Sequence, residues 1–454
     1  MKNSKTTVGE IDSEVLDFTA GQDVQLDLAL VKADCLGTAA HVTMLSRMRV
    51  KPPVVSPADS KKVIAALKNI IAQSKKGAFK ITLADQDVHL AVERTLTSKL
   101  GDLGKKVHTG RSRNDQVAVD LRLYAKEEIL CAIGEAAALA AELIDFAKKH
   151  AADPMVGRTH MQPAMPSSVG LWASAHAESL LDDVALLMTA YELNDQCPLG
   201  SAASYGAPLP LDRQLVSNML GFSRPVHNVL YANNARGKME SVILMAMGQV
   251  MLTLSRLAQD LMLFTMPEFG YFTLPAAFCT GSSIMPQKRN PDVLELVRGK
   301  ASKVMASVSC VAELIRGAPS GYNRDLQEAK GPFMKGINIT RSSLRVMKRL
   351  MAGTQVNLKA LLAGFTPDVF ATDRALELVA CGMPFRDAYH HVKQHLDDLK
   401  QMNPYKAIAR KTHLGATAGL DFRGMSARSA EALKFVDEEQ KAFDKAISKL
   451  MGSA

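Results

Sequence analysis

Residues 280–291 read Thr-Gly-Ser-Ser-Ile-Met-Pro-Gln-Lys-Arg-Asn-Pro, and this stretch is the most informative in the chain. A glycine frees the backbone ahead of Ser282 and Ser283, while Lys288 and Asn290 lie just before a proline that begins an apolar-periodic helix. Such a loop can hold a carboxylate at the helix N-terminus while a serine oxygen takes a proton from the neighbouring carbon. A Gly-Ser loop before a Pro-initiated helix is also a common structural feature, but the complete string favours chemistry.

The string closely resembles the signature of the fumarase/aspartase superfamily of lyases, Gly-Ser-Ser-x-Met-Pro-x-Lys-x-Asn-Pro. Its Gln-Lys-Arg-Asn-Pro-Asp portion is similar to that of the argininosuccinate lyase family in particular. The resemblance implies an enzyme that breaks a C–N or C–O bond beta to a carboxylate and releases fumarate. It also implies that Ser282 is the general base and that Lys288 and Asn290 stabilise the negative charge that develops.

A second cluster, His-Thr-Gly-Arg-Ser-Arg-Asn-Asp-Gln at 108–116, places two arginines and an asparagine close together. Paired donors of this kind can clamp a carboxylate. Ser112 and Asp115 also have the spacing of a helix capping box, and both interpretations can hold together. The string resembles the family's first motif, which contacts the substrate carboxylates. The expected substrate-binding residues are Arg111, Ser112, Arg113, Asn114 and Asp115.

The third cluster is Thr-His-Met-Gln at 159–162, in a proline-flanked loop before a long helix. A single histidine is more often structural than catalytic, but this string resembles the family's second motif. The resemblance adds Thr159 and Gln162 to the substrate-binding residues and makes His160 an acid or a proton relay, two roles that stay open. In the family a glutamate positions this histidine, and the matching residue is Glu295. The alternative is a structural role, because the helix dipole favours an acidic residue in the first turn of a helix.

A fourth cluster, Tyr-Asn-Arg-Asp-Leu-Gln-Glu-Ala-Lys at 322–330, resembles a further family string. Gln327 and Lys330 would share a helix face, although such a polar face is usually only solvated. His89 matches another family position near the substrate, with a surface or capping role as the alternative. Further expected substrate-binding residues are therefore His89, Arg236, Asn290, Tyr322, Gln327 and Lys330.

The chain departs from the family pattern where the leaving group is expected to bind. The family commonly reads Asn-Ser-x-Asp-Ala-Val-Ser-Asp-Arg-Asp, and here Asn228, one alanine and Arg236 are retained. Asp23 stands where a serine is expected, and Arg158 stands where a tyrosine is usual. These differences leave another N-succinyl amine lyase of the superfamily as an alternative function, and a crystallin-like structural protein as a second one.

The composition favours helices and a small-molecule enzyme. Of 454 residues, 47% are apolar and 5% aromatic, and the 23 methionines favour helices over strands. The net charge of +9 is spread along the chain, so a polyanionic small substrate accounts for it as well as nucleic acid does. Six scattered cysteines predict a cytoplasmic protein, and the longest uncharged stretch is too short to span a membrane. No dinucleotide, phosphate-loop or metal-spaced motif is visible, so we expect no cofactor, metal, nucleic acid or membrane partner.

The spacing of proline and glycine predicts an all-α, fumarase/aspartase-like fold in three parts. These are a small helical N-terminal domain at 1–112, a central bundle of five long helices at 113–360 and a small C-terminal domain of short helices at 361–454. A first helix is expected over 23–50. The long helices are apolar around much of their circumference, which predicts self-association. The resembling family forms homotetramers whose active sites lie where three subunits meet.

Overall fold

The computed structural model describes residues 4–6 and 9–452, so the outermost residues of the two predicted terminal domains lie outside the described chain. The fold is all-α in its main architecture, and the expected central bundle is present. Proline-free sequence accounts for the lengths of its members. The five helices span Arg113–Lys149, Val169–Asn194, Lys238–Thr265, Asp292–Arg316 and Lys330–Gly353.

The helix Arg113–Lys149 is the centre of the bundle. It contacts Val169–Asn194 and Lys330–Gly353, and most of its side chains are buried. Its first turn carries a complete capping box formed by Ser112 and Asp115. Because this helix is surrounded by other helices, its start is held rigidly, and the residues of that start can position a ligand.

The N-terminal part contains several shorter helices, and one expectation about it is wrong. In place of one helix over 23–50, a short helix Asp23–Leu26 and a 3₁₀ turn meet the helix Val31–Arg47 at an angle of 70°. The chain bends there because the carboxylate of Asp27 is drawn inward to bind Lys330 and the backbone N–H of Val88. The other helices are Ser13–Ala20, Pro57–Lys75, Val88–Leu100 and Asp102–Lys106.

Short strand pairs connect the helices. The largest is an antiparallel hairpin of Pro154–Thr159 with Gln162–Ser168, at a position where the sequence predicts a loop. Its prolines are tolerated because a two-stranded ladder has only edge strands. The smaller pairs join Ser4–Thr6 to Gly9–Ile11, Gln196–Cys197 to Arg224–Pro225, Phe272–Thr273 to Gln355–Val356, and Thr280–Gly281 to Arg289–Asn290.

Two short helices precede the third bundle helix, Arg213–Met219 and Val229–Asn234. Beyond residue 357 the short helices are Leu358–Ala363, Ala371–Ala380, Phe385–Gln394 and Pro404–Ala409. The expectation that every helix in this part is short is wrong, because Phe422–Gly452 has 31 residues. It packs back on the bundle, where Ser429 donates a hydrogen bond to the carbonyl of Ala137. The absence of proline after Pro404 is the signal that predicts it. The domain boundaries themselves stay a prediction.

In the part of the chain that the structure describes, one helix, Lys238–Thr265, is long and apolar enough to cross a membrane, and the bent pair Asp23–Ala29 and Val31–Arg47 would pass the same test if taken as one span. In the folded chain 67% of the most apolar window of Lys238–Thr265 is buried against neighbouring helices. That degree of burial is typical of a core helix in a bundle.

Candidate active site

A pocket opens where the N-terminal segment meets the first turn of the helix Arg113–Lys149, and we call it the cationic pocket. It brings together several residues that the sequence predicts to bind substrate. They are Arg113, Asn114, Arg236, Tyr322, Gln327 and Lys330. Its wall also includes residues that the motifs did not indicate as site residues: Thr19, Asp23, Gln86, Asp87, Val117 and Arg324.

Two arginines supply the cationic face of this pocket. Arg113 donates to Asp87 Oδ2 over 3.1 Å, and Asp87 also caps the helix Val88–Leu100 through the backbone N–H of Leu90. Arg236 is buried with its guanidinium 5.2 Å from the centre of the Tyr322 ring, a cation–π contact. Among the described residues its Nε has no hydrogen-bond partner. Both guanidiniums are therefore positioned and still have donor capacity for a ligand carboxylate.

Lys330 is the most deeply buried cation of the pocket. Its ammonium lies 2.5 Å from Asp27 Oδ1 and 3.0 Å from Asp23 Oδ2. Although burial opposes it, these two carboxylates raise the pKa of Lys330, so the ammonium is charged at neutral pH. Burial raises the pKa of Asp27 to about 6 against the opposing charge of Lys330. Lys330 is thus held in place by the protein before any ligand arrives.

Gln327 and Arg324 fix the remaining wall. The Gln327 amide donates to the carbonyl oxygen of Thr19 over 3.0 Å, and Arg324 donates to the same oxygen over 2.9 Å. The amide oxygen of Gln327, a residue that lines the pocket, accepts no hydrogen bond from the described residues. The carbonyl of Thr19 therefore ties the first helix to the segment that the sequence identifies as the fourth cluster.

Three predicted binding residues of the second cluster have structural partners. Asp115 accepts hydrogen bonds from the backbone N–H groups of Ser112, Gly200 and Ala202 at 2.9 to 3.0 Å. Buried Arg111 donates to Thr38 and Gln116, at 2.9 and 2.7 Å, and does not line the cationic pocket. The capping interpretation of Ser112 and Asp115 is confirmed, and direct contact of these residues with substrate stays a prediction.

His89 is also buried behind the pocket. Its Nδ1 lies 3.2 Å from Asp34 Oδ2, and its Nε2 lies 3.2 Å from Nδ1 of His108. Its predicted surface alternative is therefore wrong, because the ring is enclosed by the N-terminal helices. Its predicted contact with substrate stays a prediction.

The signature loop, 280–291, is closed at its base by a short antiparallel strand pair. Thr280–Gly281 pairs with Arg289–Asn290, and the side chain of Asn290 donates to the Gly281 carbonyl. The oxygen of Ser282 accepts from the backbone N–H groups of Ile284 and Met285 at 3.3 and 3.1 Å. Two N–H donors directed at one serine oxygen would stabilise its oxyanion. Lys288 is exposed and, in the part of the chain that the structure describes, forms no ion pair within 4.0 Å.

The hairpin 154–168 carries His160 at its tip. His160 and Met161 have φ of 52° and 63°, and Thr159 pairs with Gln162 across the two-residue turn. Such turns normally use glycine or asparagine, because other residues are strained there. The tip therefore holds an exposed histidine in a backbone conformation that L-residues rarely adopt. Arg158 donates to the carbonyl of Met161 over 3.2 Å and thereby braces the tip.

The four predicted catalytic residues do not meet within one chain. Glu295 is exposed on the helix Asp292–Arg316 and borders a surface groove with Ser255 and Arg298. Across residues 4–6 and 9–452, no hydrogen bond, ion pair or ring contact joins His160 to Glu295, or joins either of them to Ser282. One chain therefore holds the cationic pocket, the hairpin and the signature loop as separate parts.

Comparison with known proteins identifies the family of the chain. A family model described as lyase matches residues 21–306. The argininosuccinate lyase of Sorangium cellulosum (strain So ce56) is 42% identical over 92% of this chain and 96% of its own length. That of Parabacteroides distasonis is 41% identical over 90% of this chain and 91% of its own. The chain belongs to this lyase family. Within it, the chain is a member of the argininosuccinate lyases.

Solved structures support the same fold. An EDDS lyase variant with bound fumarate has a TM-score of 0.82 and 21% identity, covering 100% of this chain and 96% of that one. The class II fumarase of Schistosoma mansoni has a TM-score of 0.68 and 17% identity, covering 89% of this chain and 98% of that one. At these identities the likeness concerns the fold alone.

Proposed function

We propose that this protein cleaves argininosuccinate to arginine and fumarate by reversible β-elimination, as the last step of arginine biosynthesis in the cytoplasm. No cofactor takes part in the reaction. The observation that carries the proposal is the cationic pocket, in which fixed guanidinium and ammonium groups face a carboxylate across a small space. The names of the related proteins agree with this substrate.

The charge of the pocket matches the charge of this ligand. Argininosuccinate has three carboxylates together with a guanidinium, so its site needs several cationic donors and at least one acceptor. Arg113 and Arg236 provide donors for carboxylates, and Tyr322 and the amide oxygen of Gln327 provide neutral contacts. A purine-containing substrate would need a wide aromatic or apolar slot and a phosphate cradle, whereas the lining of the cationic pocket is mainly polar and charged, with Tyr322 as its one aromatic residue.

Asp23 is the acceptor that recognises the positively charged leaving group. Asp27 is fully engaged, because its two oxygens accept from Lys330 and from the N–H of Val88. Asp23 contacts Lys330 through Oδ2 and lines the pocket, which leaves Oδ1 for a ligand. Two carboxylates around one ammonium leave a surplus of negative charge, and a cationic group of the substrate would neutralise it.

The elimination begins with removal of a weakly acidic hydrogen from the carbon next to a carboxylate. The Ser282 oxyanion, held by the N–H groups of Ile284 and Met285, takes that proton. The electron pair left behind delocalises onto the carboxylate as an aci-anion, which Lys288 and Asn290 stabilise electrostatically. The pair then forms the carbon–carbon double bond of fumarate while the C–N bond breaks.

The leaving guanidine nitrogen takes up the bonding electrons and a proton. His160, oriented by Glu295, serves either as the donor of this proton or as a relay that returns the proton of Ser282. Substrate-binding roles of Thr159 and Gln162 follow from their places on either side of His160 in the hairpin. These roles agree with the exposed, strained position of the hairpin tip.

The complete site is formed by several subunits of a homotetramer. His160, Glu295 and Ser282 project from different elements of one chain without meeting, so each is available to a neighbouring copy. Exposed apolar side chains on the bundle helices, including Leu186, Met245 and Leu296, agree with helix-to-helix assembly. A composite site would bring the signature loop and the hairpin of other copies to the cationic pocket.

The direct test is the release of fumarate, followed by its ultraviolet absorbance. Purified protein is offered argininosuccinate, adenylosuccinate and a panel of other N-succinyl amines, and kcat/KM is compared across them. We expect argininosuccinate to be the best substrate. Absence of turnover with every compound would contradict an enzymatic function and favour the crystallin-like alternative.

A second candidate function is cleavage of another N-succinyl amine, and two observations favour keeping it in the panel. The stretch 228–237 lacks acidic and hydroxyl residues that the family commonly has, and Asp23 replaces an expected serine. A better substrate than argininosuccinate would reassign the leaving group while leaving the elimination chemistry unchanged.

A further inference from the structure

Three side chains that take no part in the elimination steps proposed above converge at the N-terminal face of the fold, and one of them, His89, is also a predicted substrate-binding residue. They are His89, Glu93 and His108, and one ligand atom from each lies within 4.8 Å of the others. His89 and Glu93 are four residues apart on the helix Val88–Leu100, so they share one face. His108 comes from the segment after the short helix Asp102–Lys106.

The spacing of the two imidazoles is that of ligands on one metal ion. His89 Nε2 and His108 Nδ1 are 3.2 Å apart. Two nitrogens bound to tetrahedral Zn²⁺ at about 2.0–2.1 Å would be separated by roughly 3.3 Å. Glu93 Oε2 lies 4.0 Å from the same His108 nitrogen, which a small side-chain rotation can shorten. The backbone therefore already has the geometry that such an ion requires.

A buried carboxylate orients the first of these ligands. Asp34 Oδ2 lies 3.2 Å from His89 Nδ1, and both side chains are almost completely enclosed. An N–H donated from Nδ1 to Asp34 places the lone pair of His89 on Nε2, toward His108. This carboxylate–histidine arrangement is the usual support of a metal-bound imidazole. The carboxylates of Asp34 and Glu93 also offset the positive charge of nearby Arg111.

The site has an entrance and a selective ligand set. The side chains of His108 and Glu93 are 39% and 32% exposed, so an ion can enter from solvent, and one coordination position is left for water. Two nitrogens and one carboxylate suit Zn²⁺ or Co²⁺, whereas Ca²⁺ and Mg²⁺ prefer oxygen ligands alone. A direct hydrogen bond between the imidazoles is the metal-free alternative.

We propose that His89, Glu93 and His108 bind a Zn²⁺ ion that ties the helix Val88–Leu100 to the segment leading into Arg113. The ion acts on structure, because none of the elimination steps uses it. Asp87, which holds Arg113 in the cationic pocket, is two residues before His89, and His108 is five residues before Arg113. The ion therefore fixes both partners of the Asp87–Arg113 pair. The sequence alone shows no metal-binding spacing, because the two histidines are nineteen positions apart.

The test is a zinc titration by calorimetry on tag-free protein, first treated with EDTA and then freed of it. We expect one Zn²⁺ per chain at this site. Glu93→Gln and His108→Asn should each weaken binding at least tenfold, and Zn²⁺ should raise the melting temperature of the wild-type protein but not of these variants. Co²⁺ substitution should give the visible bands of a tetrahedral site in the wild-type protein but not in Glu93→Gln or His108→Asn.

A control variant removes a competing pair of histidines. His391 and His395 are stacked one helical turn apart and can chelate zinc without any carboxylate support. His395→Asn should keep the proposed site intact. Loss of all zinc binding in His395→Asn, or unchanged binding in both Glu93→Gln and His108→Asn, would overturn the proposal. Melting temperatures in EDTA show whether each variant is folded, so the result does not depend on catalytic activity.

Discussion

Lys330 lies 2.5 Å from Asp27, although the two residues are 303 positions apart in the chain. Both side chains are enclosed, and the pair joins the bend after the helix Asp23–Leu26 to the first turn of the helix Lys330–Gly353. Because this one contact places Asp23 beside Lys330, it determines both the shape and the charge of the cationic pocket.

Removing Lys330 should destabilise the protein strongly. Lys330→Met leaves the buried carboxylate of Asp27 without its partner, and such a loss typically costs about 3–5 kcal/mol of the free energy of unfolding. Urea denaturation measures it. The control is Lys434→Met, which breaks an exposed pair with Glu438 at 3.7 Å and should cost less than about 1 kcal/mol. Similar losses in the two variants would show that the buried pair has no special role.

Replacing Asp23 should weaken recognition of the leaving group more than the chemistry. Asp23→Asn and Asp23→Ser remove a charged acceptor from a desolvated site, so KM for argininosuccinate should rise about ten- to a hundredfold, with a smaller change in kcat. Inhibition by arginine should weaken equally, while inhibition by fumarate should not. N-α-acetylarginine has no α-ammonium but keeps the guanidinium. Its inhibition of the wild-type protein and of the Asp23 variants therefore shows which of the two cationic groups Asp23 binds.

The matched control for this experiment is Asp17→Asn, an exposed aspartate of the same N-terminal segment. It should leave KM unchanged. If Asp23→Asn also left KM unchanged while the wild-type protein cleaved argininosuccinate, the assignment of Asp23 would be wrong and the proposed function would stand.

Ser282→Ala should abolish measurable turnover while substrate binding and assembly persist. A positioned general base contributes about 10²–10⁴-fold to rate, and the alanine side chain cannot accept the proton. Ser283→Ala is the neighbouring control and should have a milder effect. Steady-state kcat together with calorimetric binding separates chemistry from affinity. Near-normal kcat in Ser282→Ala would assign the base to another residue.

The protein should be a tetramer in which inactive variants complement each other. Mixing Ser282→Ala with His160→Asn chains allows some sites to draw both intact residues from different subunits, so part of the activity should return. Light scattering gives the mass, and each variant alone is the baseline. A stable monomer at micromolar concentration, or no recovery after subunit exchange, would contradict composite sites.

Acid should destabilise the protein through His41. Burial, reinforced by the Arg111 guanidinium, lowers the pKa of His41 from 6.5 to about 3. The folded state therefore binds fewer protons than the unfolded state between these two pH values. The contribution of neutral His41 to the free energy of unfolding is complete above pH 6.5 and is lost as the pH falls toward 3. The free energy of unfolding should fall by about 1.4 kcal/mol per pH unit below roughly pH 6.

The measurement is urea unfolding at pH 7, 6 and 5 for the wild-type protein and His41→Gln. Glutamine keeps a donor for the Thr109 carbonyl, which His41 now contacts through Nε2. The variant should show a shallower loss in acid. Exposed His413→Gln should keep the wild-type slope. Parallel curves for His41→Gln and the wild-type protein would exclude His41 as the cause.

The long helices could be predicted because their causes are local. Proline-free, apolar-periodic sequence defines the helix Arg113–Lys149, and Ser112 and Asp115 mark its start. Six of the predicted substrate-binding residues line the cationic pocket. Five of these six belong to motifs at or beside the start of a helix: Arg113, Asn114, Tyr322, Gln327 and Lys330. The sequence therefore predicts many of the residues of the cationic pocket, although not their arrangement.

Other features depend on contacts between distant residues and could not be predicted. The pairing of Lys330 with Asp27 follows from tertiary packing, and so does the bend near residue 27. The hairpin was missed because its second strand, Gln162–Ser168, contains prolines and lacks a strand-like alternation. No motif specifies how His160 and Glu295 approach each other, because the first lies at the tip of the hairpin and the second on the helix Asp292–Arg316.

The return of the helix Phe422–Gly452 to the bundle has a consequence for synthesis on the ribosome. Ser429 contacts Ala137, 292 positions earlier, so one face of the helix Arg113–Lys149 stays uncovered until the helix Phe422–Gly452 has been translated. Long-range closure of this kind slows folding and leaves apolar surface exposed in the nascent chain. A stop codon shortly before residue 422 would therefore yield a product that retains the five bundle helices and yet aggregates.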